Sequence, residues 1–271
     1  SKDYRDTWYF PESAYWITFD NSVPMFLTPY LETRLQDILY CDSLGIDGHL
    51  TFTSGLEWNY WLIDWSIARW CWKSSDTSIK PTALAFLKEV IKDSSTIDFV
   101  QKAAALQTDF IKNKQLIKVL TAQTITDEIG GKLNLEFHPR PEYSYKYLMN
   151  NATKDELDFI QKKYIMVLDS FILQYLKLKL RYNVASENNK LINEILLCFH
   201  ITAMRAAHRK NTLSYLIAYR LNKINKTKLP ILEYLDIAKG IRENVLISVK
   251  LQEQNYRYPL TNVAAKKKSK T

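Results

Sequence analysis

The chain has 271 residues, 46% of them hydrophobic and 24% charged, which is enough to bury a sizeable core as one large domain or two small ones. It contains only 6 glycines and 8 prolines, which argues against a turn-rich sandwich or barrel and favours helices. The formal net charge is +8, and no apolar run is long and uncharged enough to predict a transmembrane helix.

Charge and tryptophan are distributed unevenly along the chain. All seven tryptophans fall within the first 72 residues. Residues 1–100 contain 8 Lys/Arg against 14 Asp/Glu, a net of −6, whereas residues 101–271 contain 29 against 15, a net of +14. No carboxylate occurs between Glu194 and Glu233. This asymmetry limits the kinds of partner that each end can attract.

The three cysteines, Cys41, Cys71 and Cys198, are far apart and predict neither a disulfide framework nor a zinc site. Each is better explained as a small buried apolar residue. A reducing compartment, the cytoplasm, is therefore the simplest expectation. An upstream leader is the alternative, since the chain begins at Ser1.

Helical patterns follow an aromatic, proline-interrupted lead-in over residues 1–30, which we expect to pack on the rest of the protein. Thr28-Pro29 begins the first long helix, since proline suits the first helical position, and Gly45 ends it. Ser54 and Glu57 have the spacing of a capping box, a pair of side chains that satisfies free backbone N–H groups. The helices predicted in this part span 28–44, 54–73, 81–93 and 95–130, the last as one helix or two.

Residues 131–152 interrupt this pattern and predict a connector. Leu133, Leu135 and Phe137 alternate briefly, as in a short strand. The segment 138–141 contains two prolines, which disfavour helix in the residues before them. Beyond it, Thr153 begins a second capping box. The helices predicted in this part span 153–182, 186–209, 211–225 and 230–255, with Ser186 and Asn211 as N-caps and Pro230 as a helix start.

These elements predict an all-α fold, an irregular multi-helix bundle of about eight to ten helices with at most a short strand. The predicted organisation is an acidic, tryptophan-rich half (1–130), the connector (131–152), a basic helical half (153–258) and a disordered lysine-rich tail (259–271). A single compact domain is the alternative.

The helix predicted at 54–73 concentrates tryptophan on one stripe. Its members recur at spacings of three and four: Trp58, Trp61, Trp65, Ala68 and Trp72. Core packing is the simpler interpretation of such a stripe, because tryptophan buries a large apolar area. Trp70 lies off the stripe and is predicted to be the exposed tryptophan. Trp61, Trp65 and Trp70 are thus the candidates for a platform that binds a ring or a cation.

Glu57 and Asp64 lie seven residues apart, on nearly the same helix face and beside Trp61. A carboxylate held against indole rings is desolvated, which raises its pKa and suits general acid catalysis. Capping explains Glu57 equally well, and a simple salt bridge would explain Asp64. A helical enzyme that acts on a sugar or another ring-bearing molecule in this cleft is therefore an alternative.

No motif in the sequence indicates a metal, a cofactor or a nucleophile. His200 and His208 share a predicted helix but lie about 12 Å apart along its axis, too far to bind one metal ion. The patterns HExxH, GxSxG, GxGxxG and the P-loop are all missing. We expect no metal and no cofactor, and enzymatic activity is not indicated.

The acid-free stretch carries the strongest signal for binding. Arg205, His208 and Arg209 share one helix face, and Lys210 and Arg220 extend the positive charge. Such a face is either solvated or neutralised within the chain, or it binds an acidic protein, or it contacts nucleic-acid phosphates.

The preferred hypothesis is a non-catalytic protein of adaptor or immunity type. It engages another macromolecule, in first place a protein, through charge-segregated helical surfaces. The helical enzyme is the alternative, and nucleic-acid binding through residues 205–228 is the second alternative. The sequence leaves the oligomeric state open.

Overall fold

The computed structural model describes residues 6–11, 28–51, 60–72, 85, 87–114, 116, 119–120, 141–182, 189–228 and 231–254. Within these ranges the fold is all-α, as predicted. The eight α-helices are α1 (Thr28–Ser43), α2 (Tyr60–Trp72), α3 (Ser94–Gln107), α4 (Pro141–Asn150), α5 (Lys154–Ile160), α6 (Met166–Tyr182), α7 (Lys190–Asn225) and α8 (Leu232–Gln254). No helix in the described ranges meets the length and apolarity that crossing a bilayer requires.

The chain forms two compact units. One unit comprises Ser1–Thr108 and Leu178–Phe199, and the other comprises Asp109–Lys177 and His200–Thr271. Helices α6 and α7 each contribute residues to both units. The division into halves 1–130 and 153–258 stays a prediction, and the tail at 259–271 lies outside the described residues.

In the first unit, α1 packs against α2 through aliphatic side chains. Helix α1 ends as predicted at Gly45, whose φ of 64° is a conformation that glycine adopts without strain. The core between the two helices is formed by Leu31, Leu35, Ile38, Ile63, Ile67 and Trp70. The predicted capping box at Ser54 and Glu57 lies outside the described residues.

The face that α2 buries differs from the predicted tryptophan stripe. Trp70, predicted to be exposed, is 0% exposed, whereas Trp72, on the stripe, is 92% exposed. The aliphatic residues of the helix explain the difference, because Ile63 and Ile67 lie on the same face as Trp70 and direct it into the core. The side chain of Trp61 falls outside the described part of the chain.

Two short parallel strands pair with each other, one before α1 in the sequence and one after it. Trp8–Tyr9 (β1), which lies in the segment predicted as an aromatic lead-in, pairs with Gly48–His49 (β2). A Cβ at Gly48 would lie 2.6 Å from the Trp8 ring, so only glycine permits this approach. The Tyr9 hydroxyl donates to Asp37 at 2.9 Å and ties the pair to α1. The strand predicted at residues 133–137 lies outside the described ranges.

Helix α3 begins at Ser94, one residue before its predicted start. Its N-cap is Asp93, whose carboxylate accepts hydrogen bonds from the backbone N–H groups of Ser95 and Thr96. Residues 85 and 87–90 are helical, within the helix predicted at 81–93. A π-helical turn, Thr108–Asn113, continues α3.

Helix α7 is one continuous helix of 36 residues and not the two that were predicted. Asn189 is its N-cap, accepting from the N–H groups of Leu191 and Ile192. The predicted cap Asn211 lies inside the helix, where its amide donates to the Ala207 carbonyl at 2.8 Å. Asparagine is compatible with this position because its side chain bonds the preceding turn. Ser186, the other predicted cap, lies outside the described residues, as does Pro230.

In the second unit, the predicted capping box at Thr153 is confirmed, with Glu156 as its reciprocal member. Helices α5 and α6 form one run interrupted by a π-helical turn, Gln161–Ile165. The second half of the predicted connector is helical instead, as α4. Pro141 stands at the start of this helix, where its fixed φ favours helix and its missing N–H costs nothing.

Candidate functional site

The basic face of α7 is partly internal to the second unit. Arg209 is 8% exposed, and its guanidinium donates to the Tyr145 hydroxyl on α4. The guanidinium carbon lies 5.9 Å from the centroid of the Tyr145 ring. Burial lowers the pKa of Arg209 to about 10, so the side chain still carries its charge at neutral pH.

Two further arginines of α7 bind backbone carbonyls. Arg205 donates from Nε to the Leu120 carbonyl at 3.2 Å, and Arg220 donates from Nε to the Ala152 carbonyl at 2.9 Å. Burial lowers the pKa of Arg205. The Ala152 carbonyl follows the end of α4, where carbonyls lack intrahelical partners and attract cations. Arg205 thus ties the helical residue Leu120 to α7, and Arg220 ties the segment that follows α4 to it.

His208 lies half-buried on the same helix as these arginines. Burial lowers its pKa, and the positive charges of Arg205 and Arg242 lower it further. The imidazole is therefore neutral at pH 7. Its Nδ1 atom is buried and has no hydrogen-bond partner in the part of the chain that the structure describes.

Lys210 is directed away from these cationic side chains and forms an ion pair with Asp169 on α6. The ion pair lies in a groove of about 440 Å³, which we call the α6–α8 groove. The groove lies beside the π-helical turn, and π-turns often accompany functional sites. Its apolar lining comes from three helical segments: Ile165, Met166, Ile217, Ala218, Leu221 and Tyr234.

Two exposed side chains flank the α6–α8 groove. Met166 at the start of α6 is 58% exposed, and Tyr234 on α8 is 40% exposed. The exposed apolar residues Leu173 and Leu176 follow Met166 along α6. Their offsets of seven and ten residues place them on one face of that helix. The groove and this stripe together can take up apolar side chains, with an ion pair to orient a polar neighbour.

Sequence reasoning missed the α6–α8 groove. The available signal was the position of Leu176, one of the apolar residues of the long helix predicted after Thr153. The helix buries Leu168, Phe171 and Tyr175 on one side and leaves Leu176 exposed. A helix that is apolar around more than one face carries a surface beyond its own core.

Only part of the predicted tryptophan and carboxylate site lies within the described residues. Trp70 is part of the core, so it cannot serve as a platform for a ligand. Trp65 is half-buried under the guanidinium of Arg69, whose carbon lies 5.4 Å from the ring. Asp64 is half-buried. Glu57 lies outside the described residues, so its pairing with Asp64 stays a prediction.

Histidine, cysteine and carboxylate side chains nowhere cluster as a metal site would require, within the residues the structure describes. Comparison with known proteins identifies no family: no family model, no curated protein and no solved structure matches this chain.

Proposed function

We propose that this chain is a non-catalytic binding protein whose α6–α8 groove receives an amphipathic helix of a partner protein. The exposed pair Met166 and Tyr234, beside an apolar groove, is the observation that carries the proposal. Methionine adapts its shape to varied partners, and tyrosine is enriched at the centres of protein interfaces. A contiguous apolar patch with polar residues around it is a common mark of a protein-binding surface.

The shape of the surface favours a helix over a small molecule. Met166, Leu173 and Leu176 extend the apolar surface along α6 for about 15 Å, the length of almost three helical turns. A partner helix with apolar residues at spacings of three and four would match this stripe. A small ligand in the groove would leave Leu173 and Leu176 uncovered.

The charges around the stripe indicate the chemistry of the partner. Lys162 and Lys177 are exposed on the same helical run, before and after the stripe. Lys210 lies in the groove, with Asp169 as its partner. A helix with acidic residues on either side of its apolar face would complement the two exposed lysines. We therefore propose an acidic amphipathic segment as the occupant.

Site-specific photocrosslinking tests the proposal. A photoreactive phenylalanine analogue replaces Met166 in one variant and Leu246, an exposed residue of α8 away from the groove, in another. We expect the Met166 variant to capture one protein through an acidic amphipathic helix and the Leu246 variant to capture none.

The affinity of the captured segment then decides the outcome. We expect Met166→Ala and Leu173→Ala each to weaken binding by about tenfold, and Leu246→Ala to change it less than about twofold. Equal affinities for all three variants would overturn the proposal. Turnover of a small molecule that Met166→Ala abolishes would support the helical enzyme instead.

A further inference from the structure

Helix α8 carries an apolar stripe with the spacing of a coiled-coil interface. Ile237, Ile247 and Leu251 are 43%, 56% and 55% exposed. Gly240 and Asn244 lie between them, so the five positions follow one another at alternating intervals of three and four residues. Such intervals are the heptad pattern of helices that pair along their length. We call residues 237, 240, 244, 247 and 251 the α8 seam.

The α8 seam is directed away from the rest of the second unit. The buried side of α8 includes Ala238, which is 2% exposed, and the half-buried Val245. Both lie more than about 100° around the helix axis from the middle of the seam. Among the described residues outside the adjoining helix backbone, no atom comes within 4 Å of a Cβ built on Gly240. The seam is therefore open to a second helix over its length of about 21 Å.

Two copies of the α8 seam fit each other in the antiparallel orientation. With a two-fold axis midway along the seam, Ile237 of one copy lies opposite Ile247 of the other. Gly240 of one copy then lies opposite Asn244 of the other, and the open space at the glycine receives the longer asparagine side chain. A polar residue within such a seam fixes how the two helices align.

The charges beside the α8 seam favour the same orientation. Asp236 and Lys250 flank the seam on the same side, near its two ends. Asp236 lies 3.8 Å from Lys239 but keeps 73% of its side chain exposed, so its carboxylate is accessible. An antiparallel pair brings Asp236 of each copy beside Lys250 of the other, within about 3 Å along the axis. A parallel pair would instead place Asp236 beside the uncharged Ile241, so charge selects the antiparallel pair.

We propose that α8 pairs antiparallel with α8 of a second copy of this chain, through the α8 seam, to form a two-fold symmetric dimer. A two-fold interface uses the same surface on both copies, as the seam does. One helix face is a small interface, so the dimer should be weak, with a Kd of about 10 μM. The proposal does not depend on the α6–α8 groove or on its proposed partner helix.

One like-charge contact limits the affinity of this dimer. Glu243 lies on the same side of the seam as Asp236, near the two-fold axis, and therefore faces Glu243 of the second copy. The two contacts between Asp236 and Lys250 outnumber this single repulsion. Glu243→Gln should accordingly strengthen the dimer, by about twofold or more.

Analytical ultracentrifugation of the full chain, from about 1 μM to about 200 μM, tests the proposal. We expect a reversible equilibrium between monomer and dimer. Ile247→Glu should raise the Kd about tenfold or more, because it places a carboxylate in an apolar contact. Leu246→Glu is the matched control: the adjacent residue is 44% exposed but lies off the seam, so the same change should alter the Kd less than about twofold.

Gly240→Glu provides a second variant that does not endanger the fold. Glutamate is a better helix former than glycine, and the position has room for a side chain. Its melting transition should match or exceed that of the unmodified chain, while its Kd for the dimer rises about tenfold.

A charge exchange tests the orientation. Asp236→Lys and Lys250→Asp should each weaken the dimer about threefold or more, since each turns an attraction into a repulsion. The double variant should restore the affinity, because opposite charges face each other again. Failure of the double variant to recover would overturn the antiparallel arrangement.

Two further results would overturn the dimer itself. One is a chain that stays monomeric up to about 200 μM, and the other is a dimer that Ile247→Glu and Leu246→Glu weaken equally. A monomer that captures a different protein through a photoreactive group at residue 251 would overturn it in favour of a heterologous partner.

Discussion

His208 makes the stability of this protein depend on pH in a defined direction. Burial and two arginines lower its pKa in the folded state below the ordinary value of 6.5. Between the lowered and the ordinary pKa the unfolded chain binds more protons than the folded one. The stabilisation is therefore complete above the ordinary pKa and is lost as the pH falls through the lowered one.

We expect His208→Gln to reduce this loss of stability. The measurement is urea unfolding at about pH 7.5 and about pH 5, in buffers free of phosphate and sulfate. The free energy of unfolding should fall less between the two pH values in His208→Gln than in the unmodified chain. Burial also lowers the pKa of His49. This histidine contributes a separate share of the pH dependence, which His49→Gln removes. An identical pH dependence in His208→Gln and the unmodified chain would show that His208 stays solvated.

Trp70 and Trp72, two residues apart on α2, allow the stability contribution of a buried tryptophan to be compared with that of an exposed one. Trp70 is fully buried between α1 and α2, and Trp72 is almost fully exposed. Trp70→Ala should lower the free energy of unfolding by about 3–5 kcal/mol, because it removes a large side chain and leaves a cavity. Trp72→Ala should change it by no more than about 0.5 kcal/mol. Chemical denaturation monitors both, and similar losses in the two variants would contradict the assigned face of α2.

At the scale of elements, two asparagines of α7 test whether it is one helix. Asn189 caps the helix and also donates to the Val90 carbonyl at 3.2 Å. Asn189→Ala should therefore lower the free energy of unfolding by about 1 kcal/mol or more. Asn211→Ala should be neutral or slightly stabilising, since alanine is the better residue inside a helix. A larger loss in Asn211→Ala than in Asn189→Ala would mean that a helix begins at Asn211.

The elements that the sequence predicted well are those with local causes. The Thr153 capping box and the glycine stop after α1 depend on residues a few positions apart, and both were confirmed. The strand pair depends on contact between Trp8 and Gly48, forty residues apart, which no local pattern indicates. Asn211 was misassigned because asparagine prefers caps, whereas the packing of α7 on its neighbours keeps the helix continuous.

The candidate sites, too, could be predicted from the sequence only where local spacing determines them. The shared face of Arg205, His208 and Arg209 followed from helical spacing alone. Their burial did not, because it depends on contacts between distant parts of the chain. Tyr145 on α4 lies 64 residues before Arg209, and Leu120 lies 85 residues before Arg205. The α6–α8 groove likewise combines segments that are separate in the sequence. Spacing predicts which side chains lie together on one helix, and tertiary contacts decide which of them are accessible.

At the scale of the whole molecule, the net charge of +8 should govern how fast an acidic partner associates. Charge attraction mainly raises the association rate, whereas apolar contacts mainly slow dissociation. For the helix captured by crosslinking, raising the salt from about 0.05 M to about 0.5 M should slow association severalfold, since the Debye length shortens. Met166→Ala should instead speed dissociation at every salt concentration.

Two charge reversals separate local from global attraction. Lys177→Glu lies next to the apolar stripe, and Lys88→Glu changes the net charge equally from the other unit. If acidic residues of the partner meet the lysines beside the stripe, Lys177→Glu should slow association about threefold or more relative to Lys88→Glu. Surface plasmon resonance over a salt series measures both rates. An association rate that changes neither with the salt concentration nor with either charge reversal would mean that apolar contacts alone select the partner. The acidic character proposed for the partner would then be wrong.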